Sequence, residues 1–356
     1  MSSTLPPIAP LERPRLFGLT RERLGTSLAD HGFPRYRADQ IFGWLYRKQR
    51  RSADGMSNLP PPLRHSMDDF YDLDLPSVAT TLASRDGLTH KFVLELRDGT
   101  RVESVSMRTE RRLTFCLSSQ VGCALGCTFC ATGLMGLKRN LGAHEIVAQV
   151  LRMGDFHQWK DPRFNVVFMG MGEPLVNLDA VMAAIRILHD DRGLNLGARR
   201  ITVSTSGVVP GIRRLGEEGL PLGLAVSLHA TQDSLRDELV PLNRRWPLAQ
   251  LLEAARAYGE RSGRRVTLEY TLLAGVNDGP EDARRLAELA RSLPSKINVI
   301  AYNPVPGLSW KRPSPEAVDA FVHRLYPIAP AVTVRHTMGG EIWAACGQLG
   351  GLTPAS

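Results

Sequence analysis

Three cysteines that lie close together have the clearest capacity for chemistry in this chain. Cys123, Cys127 and Cys130 form a Cys-x3-Cys-x2-Cys loop. Soft thiolate ligands select iron–sulfur clusters or zinc. A structural zinc site normally has four protein ligands, whereas a loop with three thiolates leaves one metal position open. The spacing therefore predicts a [4Fe-4S] cluster with one free iron, and a zinc site or unligated core cysteines are the alternatives.

A cluster with a free iron predicts a second cofactor. Such an iron can chelate the amino and carboxylate groups of S-adenosylmethionine, and this arrangement is the signature of radical S-adenosylmethionine enzymes. The sequence contains no Gly-x-x-x-x-Gly-Lys-Ser/Thr loop, no Gly-x-Gly-x-x-Gly motif after a strand and no His-Glu-x-x-His motif. Other common cofactor systems therefore have no support, and we expect S-adenosylmethionine beside the cluster.

Composition and charge indicate a globular protein with a phosphate-bearing partner. The 356 residues are 43% hydrophobic and 22% charged, which is enough for one large domain and a smaller one. A net charge of +8 favours nucleic acid as the partner. No apolar run approaches the roughly 18 residues of a membrane-spanning helix, and the start of the chain lacks the pattern of a signal peptide. Because five cysteines suit a reducing compartment, we expect a cytoplasmic protein with no membrane association.

Four segments follow one another along the chain. Residues 1–78 predict a small helical accessory domain, in which basic side chains lie beside aromatic ones. This face is either an RNA-binding surface or a solvated helix face with a Trp anchor in a small core. Residues 79–112 predict an extension of antiparallel strands with Asp-Gly turns. Residues 113–336 repeat strand, loop and helix, and residues 337–356 form a Gly-rich tail. The basic and aromatic residues of the accessory domain are Arg35, Tyr36, Arg37, Trp44, Tyr46, Arg47, Lys48, Arg50 and Arg51.

The repeated strand, loop and helix predict the fold class. Parallel strands need helical crossovers that cover the sheet, so about six such units predict an α/β fold built as a partial (β/α)6 barrel. The cysteine loop follows the first strand directly, at the sheet edge where ligands of such folds lie. The predicted strands are residues 113–118, 164–168, 200–204, 222–228, 266–272 and 297–301, with helices at 143–153, 178–188 and 281–293 and a last strand near 332–336.

Polar residues follow several of the predicted strands. The second strand ends in Gly170-Met-Gly-Glu-Pro174, in which glycines admit a close ligand and Glu173 offers a carboxylate to an ammonium group. The third strand ends in Ser204-Thr-Ser-Gly207, the fourth in Ser227-Leu-His229, and Asn303 follows the sixth. Because these strand ends meet at one edge, we expect a polar ring that can hold the cofactor.

Two further cysteines lie outside the loop. Cys116 is on the first strand, seven positions before Cys123, and is expected to face the same cavity. Cys346 lies in the Gly-rich tail, which could reach into the barrel. A lone cysteine is more often a small buried hydrophobic residue, so the spacing alone leaves both roles open.

These motifs together resemble one known family, the radical S-adenosylmethionine RNA adenine methyltransferases of the RlmN and Cfr type, and most closely its RlmN branch. The resemblance runs through nearly the whole chain. It includes Met169-Gly-Met-Gly-Glu-Pro-Leu175 beside the cysteine loop, and Ala344-Ala-Cys-Gly-Gln-Leu349 in the tail. The matching segments are residues 115–130, 136–141, 169–175, 204–210, 227–230 and 344–349.

The resemblance implies a chemistry that needs both extra thiols. Carbon 2 of adenine is an electron-poor ring carbon that does not attack a sulfonium methyl group, so the family brings a carbon radical to it. Cys346, as a thiolate, takes a methyl group from one S-adenosylmethionine. A second S-adenosylmethionine supplies the 5′-deoxyadenosyl radical that removes hydrogen from that methyl group. Cys116 then helps to remove the ring proton and releases the product by forming a disulfide with Cys346, and Glu103 is expected as a proton acceptor.

Cofactor contacts and partners also follow from the resemblance. The substrate it implies is an adenosine of 23S rRNA, together with the adenosine after the anticodon in some tRNAs. It further implies a monomer that receives single electrons from a donor such as flavodoxin or ferredoxin. Lys138 and Arg139, after the cysteine loop, are candidates for phosphate contacts. The expected contacts to S-adenosylmethionine are Gly172, Glu173, Ser204, Ser227, Leu228, His229 and Asn303.

Three alternatives remain open on the sequence. The carbon-8 branch of the same family uses the same thiols and cofactors. A radical enzyme that acts on a protein or small molecule has no need of Cys116 and Cys346 as a pair. A non-catalytic iron–sulfur or zinc protein that binds RNA would produce no 5′-deoxyadenosine.

Overall fold

A large mixed sheet forms the centre of the protein. In this computed structural model, residues 13–158 and 164–350 are described, so the outer ends of the predicted accessory domain and tail, 1–12 and 351–356, lie outside the described residues. The strands are β1 (Ser77–Ala83), β2 (Thr89–Glu95), β3 (Arg101–Thr109), β4 (Arg112–Cys116), β5 (Gln120–Cys123), β6 (Gly136–Asn140), β7 (Phe164–Phe168), β8 (Ile201–Thr205), β9 (Gly223–Ser227), β10 (Val266–Leu272), β11 (Ser295–Ala301) and β12 (Val332–Arg335).

The large sheet combines an antiparallel and a parallel part. Its ten strands follow the order β1-β2-β3-β4-β7-β8-β9-β10-β11-β12. Strands β1 to β4 pair antiparallel, whereas β4 and β7 to β12 pair parallel in chain order. The predicted α/β fold is therefore confirmed. The six predicted strands are present, and the last predicted strand extends the same parallel sheet as β12.

Helices connect the parallel strands, as the alternating pattern predicts. Their buried residues recur at helical spacing, and this apolar stripe packs on the sheet. In the helix between β6 and β7, for example, Ile146, Val150 and Met153 are fully buried. The helices are α1 (Arg21–Asp30), α2 (Arg37–Phe42), α3 (Pro61–Phe70), α4 (Ala131–Leu134), α5 (Ala143–Phe156), α6 (Leu178–His189), α7 (Val209–Glu217), α8 (Asp233–Leu239), α9 (Leu248–Ser262), α10 (Pro280–Arg291) and α11 (Pro315–Leu325). Within residues 13–158 and 164–350, none of the helices combines the length and apolar character that crossing a membrane requires.

The N-terminal helices are fixed to the rest of the protein by ion pairs. Arg21 donates to Asp190 at 2.8 Å and to Asp191 at 3.0 Å, and Arg51 donates to Asp155 at 2.7 Å. Arg51, which belongs to the basic surface predicted for RNA binding, therefore forms an ion pair within the protein. Trp44 and Tyr46 are buried core residues. RNA binding by this segment, and the four domain boundaries, remain predictions.

A short hairpin frames the cysteine loop. Strand β5 ends at Cys123 and pairs antiparallel with β6, where Cys123 lies opposite Gly136. Gly122 has φ +80, and a Cβ at this position would overlap the carbonyl oxygen of Gly136. Glycine is therefore required immediately before the first cysteine of the loop by both conformation and space.

We expect Gly122→Ala to destabilise the cluster-free protein more than Gly126→Ala. Both residues have positive φ, so each substitution carries a strain of roughly 1–2 kcal/mol, but a Cβ at Gly126 meets nothing within 4 Å. Urea unfolding gives the free energy of unfolding of each variant. Equal losses for the two variants would contradict the close approach of β5 and β6.

Candidate active site

A cavity opens at the carboxyl ends of the parallel strands. The cysteine loop, the ends of β7, β8 and β9, and the tail all line it. It is open to solvent at its mouth, and the centres of water-sized molecules can occupy about 150 Å³ of it. The predicted site residues that line it are Cys123, Cys127, Cys130, Gly172, Glu173, Ser204, Ser227, His229, Asn303 and Cys346. Leu228 is fully buried and does not belong to this lining.

The three loop cysteines are free thiols held in a poorly solvated environment. Burial raises the pKa of Cys123 to about 11. Burial, and then the neighbouring thiols of Cys130 and Cys123, raise the pKa of Cys127 still further, and burial also raises the pKa of Cys130. Metal binding must therefore displace three protons, and the thiolates become stable only with a cationic centre beside them.

The three loop cysteines line one cavity, as the ligands of a cluster would. A four-iron cluster binds each thiolate at a different iron, so its ligands must share a cavity without converging on one point.

Glu173 lies beside the cluster loop with its carboxylate already oriented. The carboxylate accepts hydrogen bonds from the backbone N–H groups of Leu175 at 3.1 Å and Ser206 at 2.8 Å. Burial raises the pKa of Glu173 to about 7, because the carboxylate loses its hydration. An ammonium group that enters the cavity would restore that lost stabilisation, so Glu173 is suited to bind one.

Ser206 is a residue of the site that sequence reasoning did not single out. Its N–H donates to Glu173, and its side chain forms a hydrogen bond with Cys127 that lowers the pKa of that thiol. Ser206 therefore joins the cluster loop to the Glu173 carboxylate. A signal was present in the sequence, because alternate residues of a strand face the same side and Ser206 lies two positions after Ser204.

His229 is a neutral, fixed side chain. Its Nδ1 accepts a hydrogen bond from the N–H of Thr271 at 3.0 Å, so the ring hydrogen is on Nε2. Burial, and then the charge of Arg236, lower the pKa of His229 to about 3. The backbone of His229 has φ +58, and the ring of Phe129 lies edge-on at 4.9 Å between centroids.

Asn303 holds the tail in the cavity. Its Nδ2 donates to the carbonyl oxygen of Cys346 at 3.2 Å, while its Oδ1 accepts from Arg312 at 3.1 Å and Thr337 at 2.9 Å. The residue after Cys130 also contacts the tail, because the N–H of Ala131 donates to the carbonyl oxygen of residue 347 at 2.8 Å. The tail is thus bound directly to the cluster loop.

Cys346 lies between two cavities. It lines the large cavity with the loop cysteines and also a smaller neighbouring cavity that Cys116 lines. Arg335 lines both cavities as well, and Cys346 contributes most to raising the pKa of its guanidinium. The two thiols predicted to act together therefore face a shared space next to a positive charge.

Glu103 lies beneath the tail. Its carboxylate accepts a hydrogen bond from the N–H of Gly350 at 3.1 Å and lies 3.7 Å from the Nζ of Lys91. Both Lys91 and Glu103 are buried. Glu103 is not part of the lining of either cavity, so its predicted role as a proton acceptor remains a prediction.

Comparisons with known proteins identify the family. The profile described as "Radical SAM superfamily" matches residues 117–290, and that described as "Ribosomal RNA large subunit methyltransferase N-terminal domain" matches residues 15–72. A relative from Symbiobacterium thermophilum, a probable dual-specificity RNA methyltransferase RlmN, is 49% identical over 96% of this chain and 92% of its own length. The dual-specificity RNA methyltransferase RlmN of Anaeromyxobacter sp. is 48% identical over 98% of this chain and 94% of its own length. The chain belongs to the RlmN family of radical S-adenosylmethionine RNA methyltransferases.

A solved structure agrees with this assignment. The radical SAM methyltransferase from Sphaerobacter thermophilus is 47% identical, covers 94% of this chain and 98% of its own length, and superposes with a TM-score of 0.88. Membership of the RlmN family makes the chain an S-adenosylmethionine-dependent methyltransferase of RNA. It also implies a [4Fe-4S] cluster and S-adenosylmethionine as cofactors, which agrees with the donor set and strand ends described above.

The two candidate phosphate contacts of this RlmN-family chain differ in their surroundings. Lys138 is exposed. Arg139 instead donates to Asp98 at 2.6 Å and to Glu145 at 2.8 Å, and these carboxylates raise the pKa of its guanidinium. Lys138 is therefore the better placed of the two for contact with RNA.

We expect Cys116 to resist alkylation in the folded, cluster-free protein. Burial, and then the Cys346 thiol, raise its pKa to about 12, and each unit of increase lowers the thiolate fraction roughly tenfold. The thiol should therefore stay protonated between about pH 7 and 10, where iodoacetamide labelling can be followed by peptide mass spectrometry.

The urea-unfolded protein is the control for this measurement, since it exposes the same thiol to solvent. Half-buried Cys346 serves as an internal comparison and is expected to react faster than Cys116. Labelling of Cys116 at equal rates in the folded and unfolded protein would contradict its burial.

Proposed function

We propose that this protein methylates carbon 2 of an adenosine in 23S rRNA, and of the adenosine that follows the anticodon in some tRNAs. The observation that carries the proposal is the position of Cys346, which faces both the cluster cysteines and Cys116. Cys346 could carry a methyl group between the radical source at the loop cysteines and the second thiol, Cys116. This arrangement suits methylation of an electron-poor ring carbon, which does not attack a sulfonium methyl group. Two relatives bear the description dual-specificity RNA methyltransferase, one of them as probable, which supports more than one RNA substrate.

The cofactors are assigned to the large cavity. The loop cysteines would hold the cluster, and the strand ends would bind S-adenosylmethionine, with Glu173 on its amino group. When bound, these cofactors supply a methyl group and a carbon-centred radical. The residues assigned to S-adenosylmethionine are Gly172, Glu173, Ser204, Ser227, Leu228, His229 and Asn303, of which Leu228 lies beneath the lining of the cavity.

Cys346 is assigned the role of methyl carrier. It is half-buried at the cavity, so its sulfur can reach a bound methyl donor. Only a thiolate is a competent nucleophile, and Arg335 lines the same two cavities as Cys346. The hydrogen bond from Asn303 to the Cys346 carbonyl holds the acceptor in the cavity.

Cys116 and Glu103 are assigned to product release. Cys116 keeps its proton because burial raises its pKa to about 12, so it does not compete with Cys346 for the methyl group. Its place in the cavity next to Cys346 suits a later disulfide between the two sulfurs, which frees the RNA. Glu103 contacts Gly350 of the tail and is assigned as the acceptor of the ring proton.

RNA is expected to contact the basic surface of the protein. The net charge is +8, and Tyr36 is 56% exposed with the guanidinium of Arg37 at 4.7 Å from its ring centroid. Unstacked bases can stack on such pairs. A flavodoxin or ferredoxin as electron donor, a monomeric state and a cytoplasmic location complete the proposal.

Nucleoside mass spectrometry tests the position of the methyl group. Reconstituted protein is incubated with S-adenosylmethionine, a one-electron reductant and fragments of 23S rRNA or tRNA, and the RNA is then digested. We expect 2-methyladenosine. Formation of only 8-methyladenosine would contradict the proposal and assign the chain to the carbon-8 branch.

We expect Cys116→Ala to separate the first half of the reaction from the second. Cys346 should still become methylated, because the methyl carrier is intact, but the RNA should stay covalently attached because no second thiol releases it. Denaturing gel electrophoresis with labelled RNA measures the adduct. Cys346→Ala is the matched control and should give neither adduct nor methylated RNA, and free methylated RNA from the Cys116 variant would remove Cys116 from the mechanism.

A further inference from the structure

Arg236 is a fully buried cation close to the cavity. It belongs to α8 and is 0% exposed. Burial lowers its pKa to about 10, while the nearby groups of Cys127, Asp233 and Asp237 raise it, so the side chain is charged at neutral pH. A buried charge destabilises the folded protein unless polar groups surround it. The hydrogen-bond partners of Arg236 therefore show which part of the protein its charge stabilises.

The guanidinium binds the carbonyl oxygens of two neighbouring strand ends. Its Nη2 donates to Ser206 at 2.6 Å and to Ser227 at 3.1 Å, and its Nε donates to Leu228 at 3.0 Å. The Ser206 carbonyl follows β8, the Ser227 carbonyl ends β9 and the Leu228 carbonyl follows β9. Ser206 and Ser227 line the large cavity, so one side chain fixes the backbone on which two cavity residues are mounted.

The side-chain amide of Asn243 links Arg236 to two carboxylates. Its Nη1 donates to Asn243 Oδ1 at 2.9 Å, and the Nδ2 of Asn243 donates to Asp233 at 2.9 Å and to Asp237 at 2.7 Å. The amide orients the guanidinium while holding these two acids behind it. The positive charge therefore remains available to the groups on the cavity side.

The groups on the cavity side of Arg236 include Cys127 of the cysteine loop. Ser206, whose carbonyl binds Arg236, also donates its N–H to Glu173 at 2.8 Å and forms a side-chain hydrogen bond with Cys127. A displacement of Ser206 would move its contacts with both the carboxylate and the thiol. By binding the Ser206 carbonyl, Arg236 therefore also fixes the position of the contacts that Ser206 makes with Glu173 and Cys127.

We propose that Arg236 is a positioning residue for S-adenosylmethionine, which it orients by fixing the carbonyl groups of Ser206, Ser227 and Leu228, and that its charge favours the reduced cluster. The inference rests on the proposed binding of S-adenosylmethionine at these strand ends. Five fixed donors of a guanidinium can hold several carbonyls at once, whereas a lysine ammonium cannot reproduce this fork.

Two variants separate the geometry from the charge. Arg236→Lys keeps a cation but not the fork, and Arg236→Met removes both. Arg264→Met is the matched control, because the Nη1 of Arg264 donates to the Pro221 carbonyl at 2.9 Å, before the start of β9 and away from the cavity. Each protein is reconstituted anaerobically, normalised to its iron content, and measured for the dissociation constant of S-adenosylmethionine and for the reduction potential of the cluster.

Both Arg236 variants should bind S-adenosylmethionine at least about tenfold more weakly, the effect of losing one charge-assisted hydrogen bond. Only Arg236→Met should shift the reduction potential to more negative values, since added electron density loses its counter-charge. Arg264→Met should change neither quantity. If Arg236→Met retains no iron, Arg236→Lys decides the positioning role, and Arg236→Gln, which keeps amide donors without the charge, replaces Arg236→Met in the measurement of the reduction potential.

An Arg236→Lys holoprotein that binds S-adenosylmethionine as tightly as the wild type would overturn the positioning role. An unchanged potential in an iron-loaded Arg236→Met protein would overturn the role of the charge. Neither result touches the proposed function, which fails instead if the wild-type holoprotein does not bind S-adenosylmethionine.

Discussion

The parallel pairing of strands β4 and β7 to β12 is the constraint on which the site depends. Parallel strands in chain order bring all their carboxyl ends to one edge of the sheet. Residues as distant in sequence as Cys123 and Asn303 consequently line one cavity. The chemistry that each residue can perform follows from this shared edge, because a loop cysteine alone binds no methyl donor and a strand-end serine alone holds no metal.

Differences in burial also give side chains of the same type different chemical properties. Cys116 and Cys346 are both thiols beside one small cavity, but Cys116 is buried and Cys346 is half-buried. The buried thiol keeps its proton, whereas the accessible one can meet a methyl donor. Among the carboxylates, Glu173 borders the cluster cysteines and Glu103 borders the tail. The proposed function thus assigns cofactor binding and the steps that involve RNA to different parts of the site.

The sequence predicted the fold class and ten of the residues that line the cavity, because both depend largely on local patterns. Strand periodicity and the residues after each strand identified Glu173, Ser227 and His229. The roles of Ser206 and Arg236 were not predicted, since their hydrogen bonds join segments that only the folded sheet brings together. The same reason explains Arg139, whose partner Asp98 is 41 residues away in sequence. Local patterns carry no information about such tertiary contacts.

Isotope labelling tests the central claim, that Cys346 carries a methyl group which loses a hydrogen to a radical before it reaches RNA. The holoprotein is given S-adenosylmethionine with a fully deuterated methyl group, and the product RNA and 5′-deoxyadenosine are analysed by mass spectrometry. The account predicts that the new RNA methyl group keeps two of the three deuterium atoms and that 5′-deoxyadenosine gains one. Transfer of an intact trideuterated methyl group to RNA would contradict it.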